Sequence, residues 1–346
     1  MSARSFPHGY GFDPTYGFDL AQLLSITPPH PPEDFAAFWQ QRHAAALSVK
    51  PMPRILPTGR KIGQHVVYDL SYFSTGGTEI GGWLLVPEDG RIRHGLVIGH
   101  GYGGRDTPDA PVPVDAAVCL FPCFRGFGRS ALLGVAPDPR YHVLHDIDDR
   151  QRYIIGGCVD DLWLAVSALL ELFPEVAGRV ACLGISLGGG IGAMAAPWDV
   201  RINRLHLQVP TFGHQALRLT LPCVGSNEAV RAYQQRHGNV METLAYYDAA
   251  SAARYLQIPT LVAAALFDPA VPPPGQFAVF NAIAEPLRRL FVMEAGHFDY
   301  PGKEARLEEL NRTLAAFLME PPTDNEDDLA RHASRISPLV QPPPAA

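Results

Sequence analysis

The chain has 346 residues, 47% of them hydrophobic, which is enough apolar side chain to bury a large core. Its formal net charge is −7 and no Lys/Arg-rich run is present, so a surface built to collect phosphates, and with it a nucleic-acid partner, is excluded. The opening MSARSFPHGYGFDPTYGFDL lacks the apolar stretch of a signal peptide, and no later segment reaches membrane-spanning length. The expectation is a soluble, cytoplasmic protein with no membrane partner.

In chain order, the first clear element is PPEDFAAFWQQRHAAAL, where Phe35, Phe38, Trp39 and Arg42 fall at helical spacing behind the N-terminal carboxylates of Glu33 and Asp34. The aromatic stripe reads as a packing face. Next, QHVVYDLSYFSTGGTEIGGWLLVP places β-branched and aromatic runs on either side of a Gly-Gly turn, the pattern of paired antiparallel strands. The pattern then changes to short continuous apolar runs, HGLVIGHG, AAVCLFP, RVACLGIS, TLVAAALFD and RRLFVMEAGH. Such runs fit strands buried on both faces of a parallel sheet. Between them CVDDLWLAVSALLELF sets Leu162, Val166, Leu169 and Leu170 on one helix face, and after them KEARLEELNRTLAAFLM aligns Leu307, Leu310, Leu314 and Phe317. Alternating strands and helices predict a three-layer α/β architecture, a mainly parallel sheet with helices on both faces and functional residues at the strands' carboxyl ends. Residues 1–320 are expected to form one domain with an N-terminal helical extension, and the Pro- and charge-rich residues 321–346 a flexible tail. No internal repeat is present. Cys119, Cys123, Cys158, Cys182 and Cys223 lie mostly in apolar runs, so reduced buried thiols are expected rather than a disulfide framework or metal site.

The chemistry-bearing signal is Gly184-Ile185-Ser186-Leu187-Gly188, between the apolar run VACLGI and the small-residue run GGGIGAMAA. A strand–GxSxG–helix succession is a nucleophile elbow: the tight turn needs glycines at 184 and 188 and projects the Ser186 hydroxyl above the sheet edge. A serine hydroxyl needs a base, and the base needs an orienting acid. Asp268 follows TLVAAALF and His297 follows RRLFVMEAG, giving the chain order Ser, Asp, His of the α/β-hydrolase fold. His100 precedes the serine, and His206 and His214 lie between serine and aspartate, so all three are less well placed. Glu294 and Asp299 stand too close to His297 in sequence to orient it. A developing oxyanion calls for two backbone N–H groups. One candidate is the Leu187 amide; the other lies in the loop His100-Gly101-Tyr102-Gly103-Gly104, where Tyr102 is favoured.

With these residues in place the sequence resembles the acetyl xylan esterase and cephalosporin C deacetylase family, carbohydrate esterase family seven. The resemblance runs from PPEDFAAFW through HGYGG, Arg125-Gly126-Phe127-Gly128, GISLGGG and TLAYYDAASAARYLQIPTL to FDPAVPPPGQFAVFNAI and EAGH. It implies deacetylation of small acetylated sugars and related esters without a metal or other cofactor, and a homo-oligomer. It also implies Ser186 as nucleophile, Asp268 as acid, His297 as base, oxyanion donors at Tyr102 and Leu187, and a structural role for Arg125. Three positions depart from the family pattern: Leu187 and Phe127 stand where it carries Gln, and Phe298 where it carries Glu. Three polar-to-apolar changes near one site predict altered supporting contacts and a more apolar pocket.

The expected activity is therefore a serine carboxylesterase acting on short acyl esters. The same three residues would serve a thioesterase or peptidase, and a non-catalytic ligand-binding protein on this scaffold is the alternative outside enzymes. The segment VAPDPRYHVLHDIDDRQRYIIGG could cover the site or form a subunit contact.

Overall fold

A computed structural model describes residues 6–109 and 112–321. The predicted tail, apart from its first residue, lies outside the described residues. Nine strands form one sheet: β1 (Arg54–Ile62), β2 (His65–Phe73), β3 (Glu79–Pro87), β4 (His94–Gly99), β5 (Ala117–Pro122), β6 (Val180–Ile185), β7 (Ile202–Gln208), β8 (Thr260–Ala265) and β9 (Arg288–Met293). Their spatial order is β1-β2-β3-β5-β4-β6-β7-β8-β9. The pairs β1–β2, β2–β3 and β3–β5 are antiparallel, and every pairing from β5 through β9 is parallel. The Gly-Gly turn joins β2 to β3 as expected. Two strands escape the sequence pattern: β1 carries Pro57 and Gly59 and is mostly exposed, and β7 interrupts its apolar residues with Asn203, Arg204 and His206.

Strand side chains alternate between two cores. Val97, Cys182, Leu207, Val262 and Ala264 face the larger one, with the helices Phe35–Leu47, Ile154–Leu172, Leu187–Ala195 and Pro273–Ala282. Leu96, Leu183, Leu261 and Ala263 face the smaller one, covered by Leu310, Leu314 and Phe317 of the helix Lys303–Met319. Helices therefore occupy both faces, unequally. In the first of them Phe35, Phe38 and Trp39 are buried as predicted, and Arg42 pairs with Asp160 at 2.8 Å. Asp34 does not cap this helix through its side chain but accepts a hydrogen bond from the Tyr246 hydroxyl. All five cysteines are buried and free, and no helix among the described residues is long and apolar enough to cross a membrane.

The strand order sets the site. From β4 the chain steps to β5 on one side and then to β6 on the other, so the loops leaving β4 and β6 diverge over a crevice at the sheet's carboxyl edge. Gly99 and Gly184 are register partners there, which places the His100–Gly104 loop beside Ser186.

Candidate active site

The elbow is tight enough that side chains are excluded from its glycines. A Cβ on Gly184 would lie 2.2 Å from the Gly188 oxygen, and one on Gly188 would lie 2.6 Å and 2.7 Å from the Gly99 carbonyl carbon and oxygen. Strand and helix can cross at this distance only without Cβ atoms. Ser186 takes the strain, with φ 54° and ψ −109°, a conformation that costs an L-residue energy and is held here by its neighbours. Its N–H donates to the Gln208 carbonyl at 2.8 Å, and its own carbonyl accepts from Gly190 and Thr211 at 3.0 and 3.1 Å.

The loops after β8 and β9 bring Asp268 and His297 to the same hydroxyl. His297 Nε2 is 3.0 Å from Ser186 Oγ, and Nδ1 is 2.8 Å from Asp268 Oδ2. With Nδ1–H donating to the carboxylate, Nε2 is the tautomer's acceptor and faces the serine O–H. Asp268 is fully buried. Its Oδ1 accepts from the Ala270 and Val271 amides, each at 2.9 Å, and its backbone N–H donates to the Pro14 carbonyl at 3.0 Å. Burial of the imidazole opposes its charge, but the Asp268 charge and hydrogen bond outweigh burial and hold His297 above its ordinary value. A Cβ on Gly296 would sit 2.4 Å from Asp268 Oδ2, so the histidine loop can approach the acid only with glycine there.

The loop after β4 completes the crevice. The His100 ring is anchored at both nitrogens, Nδ1 2.7 Å from the Gly101 carbonyl and Nε2 accepting from the Phe124 N–H at 2.9 Å. Burial, assisted by the nearby Arg105 charge, pushes its pKa down to about 3, so it is a neutral structural residue. Its carbonyl accepts the Gly188 N–H at 2.8 Å, which ties this loop to the elbow helix. Among the described residues neither the Tyr102 nor the Leu187 amide meets a backbone or side-chain acceptor. Leu187 follows Ser186 directly in the chain, and Tyr102 lines the same cleft as the serine. The cleft over Ser186 has a volume of about 550 Å³ and is lined by Tyr102, Thr211, Ser226, Val271 and His297 among others. Asp138, Pro139 and Arg140 form part of its wall, so the segment with two open roles in the sequence borders the site.

Arg125 holds the loops behind the cleft. Its Nη2 donates to Asp161 Oδ1 at 2.6 Å, to Ser74 Oγ at 3.0 Å and to Thr75 Oγ1 at 3.1 Å, and its backbone N–H donates to Asp161 Oδ2 at 2.9 Å. The expectation of a more apolar pocket is corrected at the three departures, because none of them lines the cleft. Leu187 is fully buried in the larger core, Phe127 packs on the His142, His100 and Tyr102 rings, and Phe298 packs on Phe267 and Phe6. Apolar side chains at these positions add packing behind the site.

The remaining candidates have other partners. His206 Nδ1 meets the Leu261 carbonyl at 3.1 Å, the His214 ring accepts from the Leu217 N–H, and Asp299 pairs with Lys303 at the surface. Asp248, a further buried carboxylate between Ser186 and His297 in the chain, accepts from the backbone amides of His214, Gln215, Ala250 and Ser251. One residue was not foreseen. Gln276, fully buried, donates to Asp268 Oδ2 at 2.9 Å, and the only available signal is an amide side chain in the otherwise apolar PPPGQFAVF.

A mainly parallel sheet with a serine on a strand-to-helix elbow, faced by a histidine and a buried carboxylate, defines the α/β-hydrolase class. The profile of the family "Acetyl xylan esterase (AXE1)" matches residues 18–310. The chain belongs to this family of carboxylic ester hydrolases. Similar solved structures include the acetyl xylan esterase from Paenibacillus sp. R4, at 23% identity and TM-score 0.76, covering 86% of this chain and 99% of that one. Acetyl xylan esterase 1 from Thermoanaerobacterium sp. JW/SL YS485 aligns at 22% identity and TM-score 0.72, over 89% and 100% of the two chains. The Pyrococcus horikoshii acylaminoacyl peptidase shares the fold at 14% identity and TM-score 0.56, over 80% of this chain and 52% of that one.

Proposed function

We propose that this protein removes acetyl or other short acyl groups from acetylated sugars or related small esters, including acetylated cephalosporin-type compounds, through a Ser186 acyl-enzyme. The observation that carries the reading is His297 bridging Ser186 Oγ at 3.0 Å and Asp268 Oδ2 at 2.8 Å beneath a cleft of about 550 Å³. That volume suits a small ester.

In this reading His297 Nε2 takes the Ser186 proton as Oγ attacks the ester carbonyl. The Tyr102 and Leu187 amides receive the negative oxygen of the tetrahedral intermediate. The imidazolium, stabilised by Asp268, returns its proton to the departing alkoxide, and the acyl group remains on Ser186. A water activated by the same nitrogen then releases the acid. The bond broken is an ester C–O, and the products are an alcohol and a carboxylic acid.

The test is acetate release from acetylated xylo-oligosaccharides and from a simple aryl acetate, with wild type and Ser186→Ala side by side. Serine-dependent release from both supports the sugar deacetylase, and Ser186→Ala is expected to lose a factor on the order of 10⁴ or more in kcat. Release from the aryl ester alone would retain the mechanism and redirect the substrate toward thioesters or peptides. Wild-type turnover by Ser186→Ala would overturn the nucleophile.

A further inference from the structure

Asp268 receives one hydrogen bond that neither its own loop nor His297 provides. Gln276 lies on the helix Pro273–Ala282, fully buried, and its side-chain amide makes three contacts. Nε2 donates to Asp268 Oδ2 at 2.9 Å and to the Val271 carbonyl at 2.7 Å, while Oε1 accepts from the Ala265 N–H at 2.8 Å. This set fixes the amide's orientation. Flipped, Oε1 would face two acceptor oxygens and the NH₂ group would face an N–H, so all three bonds would be lost.

We infer that Gln276 is a positioning residue of the acyl-transfer site, holding the Asp268 carboxylate in the rotamer that orients His297 and sharing its negative charge. The inference rests on the reading of Ser186, His297 and Asp268 as the reacting set and adds a fourth side chain behind it. Oδ2 accepts from both His297 Nδ1 and Gln276 Nε2, while Oδ1 accepts from the Ala270 and Val271 amides. Four donors fill the acceptor capacity of one carboxylate, leaving it one orientation. Gln276 also links the last residue of β8 to the loop carrying the acid, because Ala265 ends the strand and Val271 lies three residues beyond Asp268. Asp268 is thus braced against the strand it follows.

Physical chemistry gives this role a signature that packing alone lacks. A hydrogen bond to a carboxylate draws off part of its charge, so removing Gln276 leaves Asp268 a stronger partner for the imidazolium and raises the pKa of His297. The other groups facing this pair are few. Lys303, at the start of the helix Lys303–Met319, acts on His297 and opposes its charge, while the Tyr16 phenol of the N-terminal segment lies within range of Asp268. The helix Pro273–Ala282 carries no ionisable side chain of its own. A shift caused by the substitution therefore has one origin.

The experiment compares wild type, Ser186→Ala and Gln276→Met, the last being close in length and volume but without donor or acceptor. With an aryl acetate, Gln276→Met is expected to lose about tenfold in kcat with KM nearly unchanged, because a carboxylate no longer held in one orientation misplaces His297 against Ser186. Its acid limb of kcat/KM should move up by about half a pH unit. An unmoved limb, with loss confined to thermal stability, would reduce Gln276 to packing. If Gln276→Met does not fold, proton NMR of the wild type decides. A low-field His297 Nδ1 proton with a cross-peak to the Gln276 side-chain amide supports the inference, and that proton without the cross-peak overturns it. An active Ser186→Ala would instead sink the underlying reading, so the two failures are distinguishable.

Discussion

The elbow at Ser186 and the loops that carry Asp268 and His297 reach the same cleft by different physical means. At the elbow the geometry is excluded volume: Gly184 and Gly188 let a strand, a helix and the neighbouring β4 loop meet at distances no Cβ would permit. At the acid the geometry is hydrogen bonding between separate elements, with Pro14 far upstream, Gln276 on the following helix and His297 after β9 converging on one buried carboxylate and its amide. The Gly184–Gly188 part of the first constraint is written in neighbouring residues, while the approach of Gly188 to Gly99 needs β4 and β6 already paired. A constraint of the second kind exists only after the chain has folded.

The largest effect expected from breaking the second region is Asp268→Asn. The amide keeps the shape but presents the wrong donor to His297, and kcat should fall by about 10⁴. The same variant tests the electrostatics. In the wild type the Asp268 charge holds His297 above 6.5, so activity is lost as pH falls through that raised value and the base becomes protonated. Removing the charge should move the remaining acid limb downward, and an unchanged limb would argue that another group supplies the shift. Asp248→Asn is the natural control, since its carboxylate is committed to backbone amides.

The first region breaks differently. Gly188→Ala places a methyl group against the Gly99 carbonyl, and the helix and β4 loop must separate. A stability loss of about 3 kcal/mol is expected, read as a lower Tm, with activity falling because the elbow is displaced. Wild-type Tm and kcat would show that the crossing is looser than its contacts imply.

The smallest effect is expected at Phe298→Ala. The ring lies 5.0 Å from Phe267 and 5.9 Å from Phe6 between centroids, so about 1 kcal/mol of stability should go, with kcat/KM within about twofold. A loss of activity on the order of a hundredfold would mean that this ring orders His297 rather than the N-terminal segment.

Much of the fold was legible because buried parallel strands and amphipathic helices carry their periodicity in the chain. The runs that become β4, β5, β6, β8 and β9 are apolar apart from polar residues at their starts, His94, Thr260, Arg288 and Arg289. The strands missed are those without such a signature: β1 is an exposed edge and β7 carries polar residues. Strand ends and chain order singled out Ser186, Asp268 and His297, and the structure joins these three in one hydrogen-bonded chain. The supporting contacts were not legible in the sequence. His100 looked like a rival base until both ring nitrogens were seen to be occupied, and Phe127 and Phe298 looked like pocket residues until their rings were seen in packing clusters.

The sequence by itself determined the strand–turn–helix pattern of the elbow, because a tight turn acts between neighbours, and it determined the strand ends at which an acid and a base could stand. Only the tertiary structure decided that Pro14 would meet the Asp268 amide from 254 residues away, and that Gln276 would turn its amide toward the carboxylate. Hydrogen-bond partners are selected by distance and direction in space, and a one-dimensional pattern of residue types carries neither.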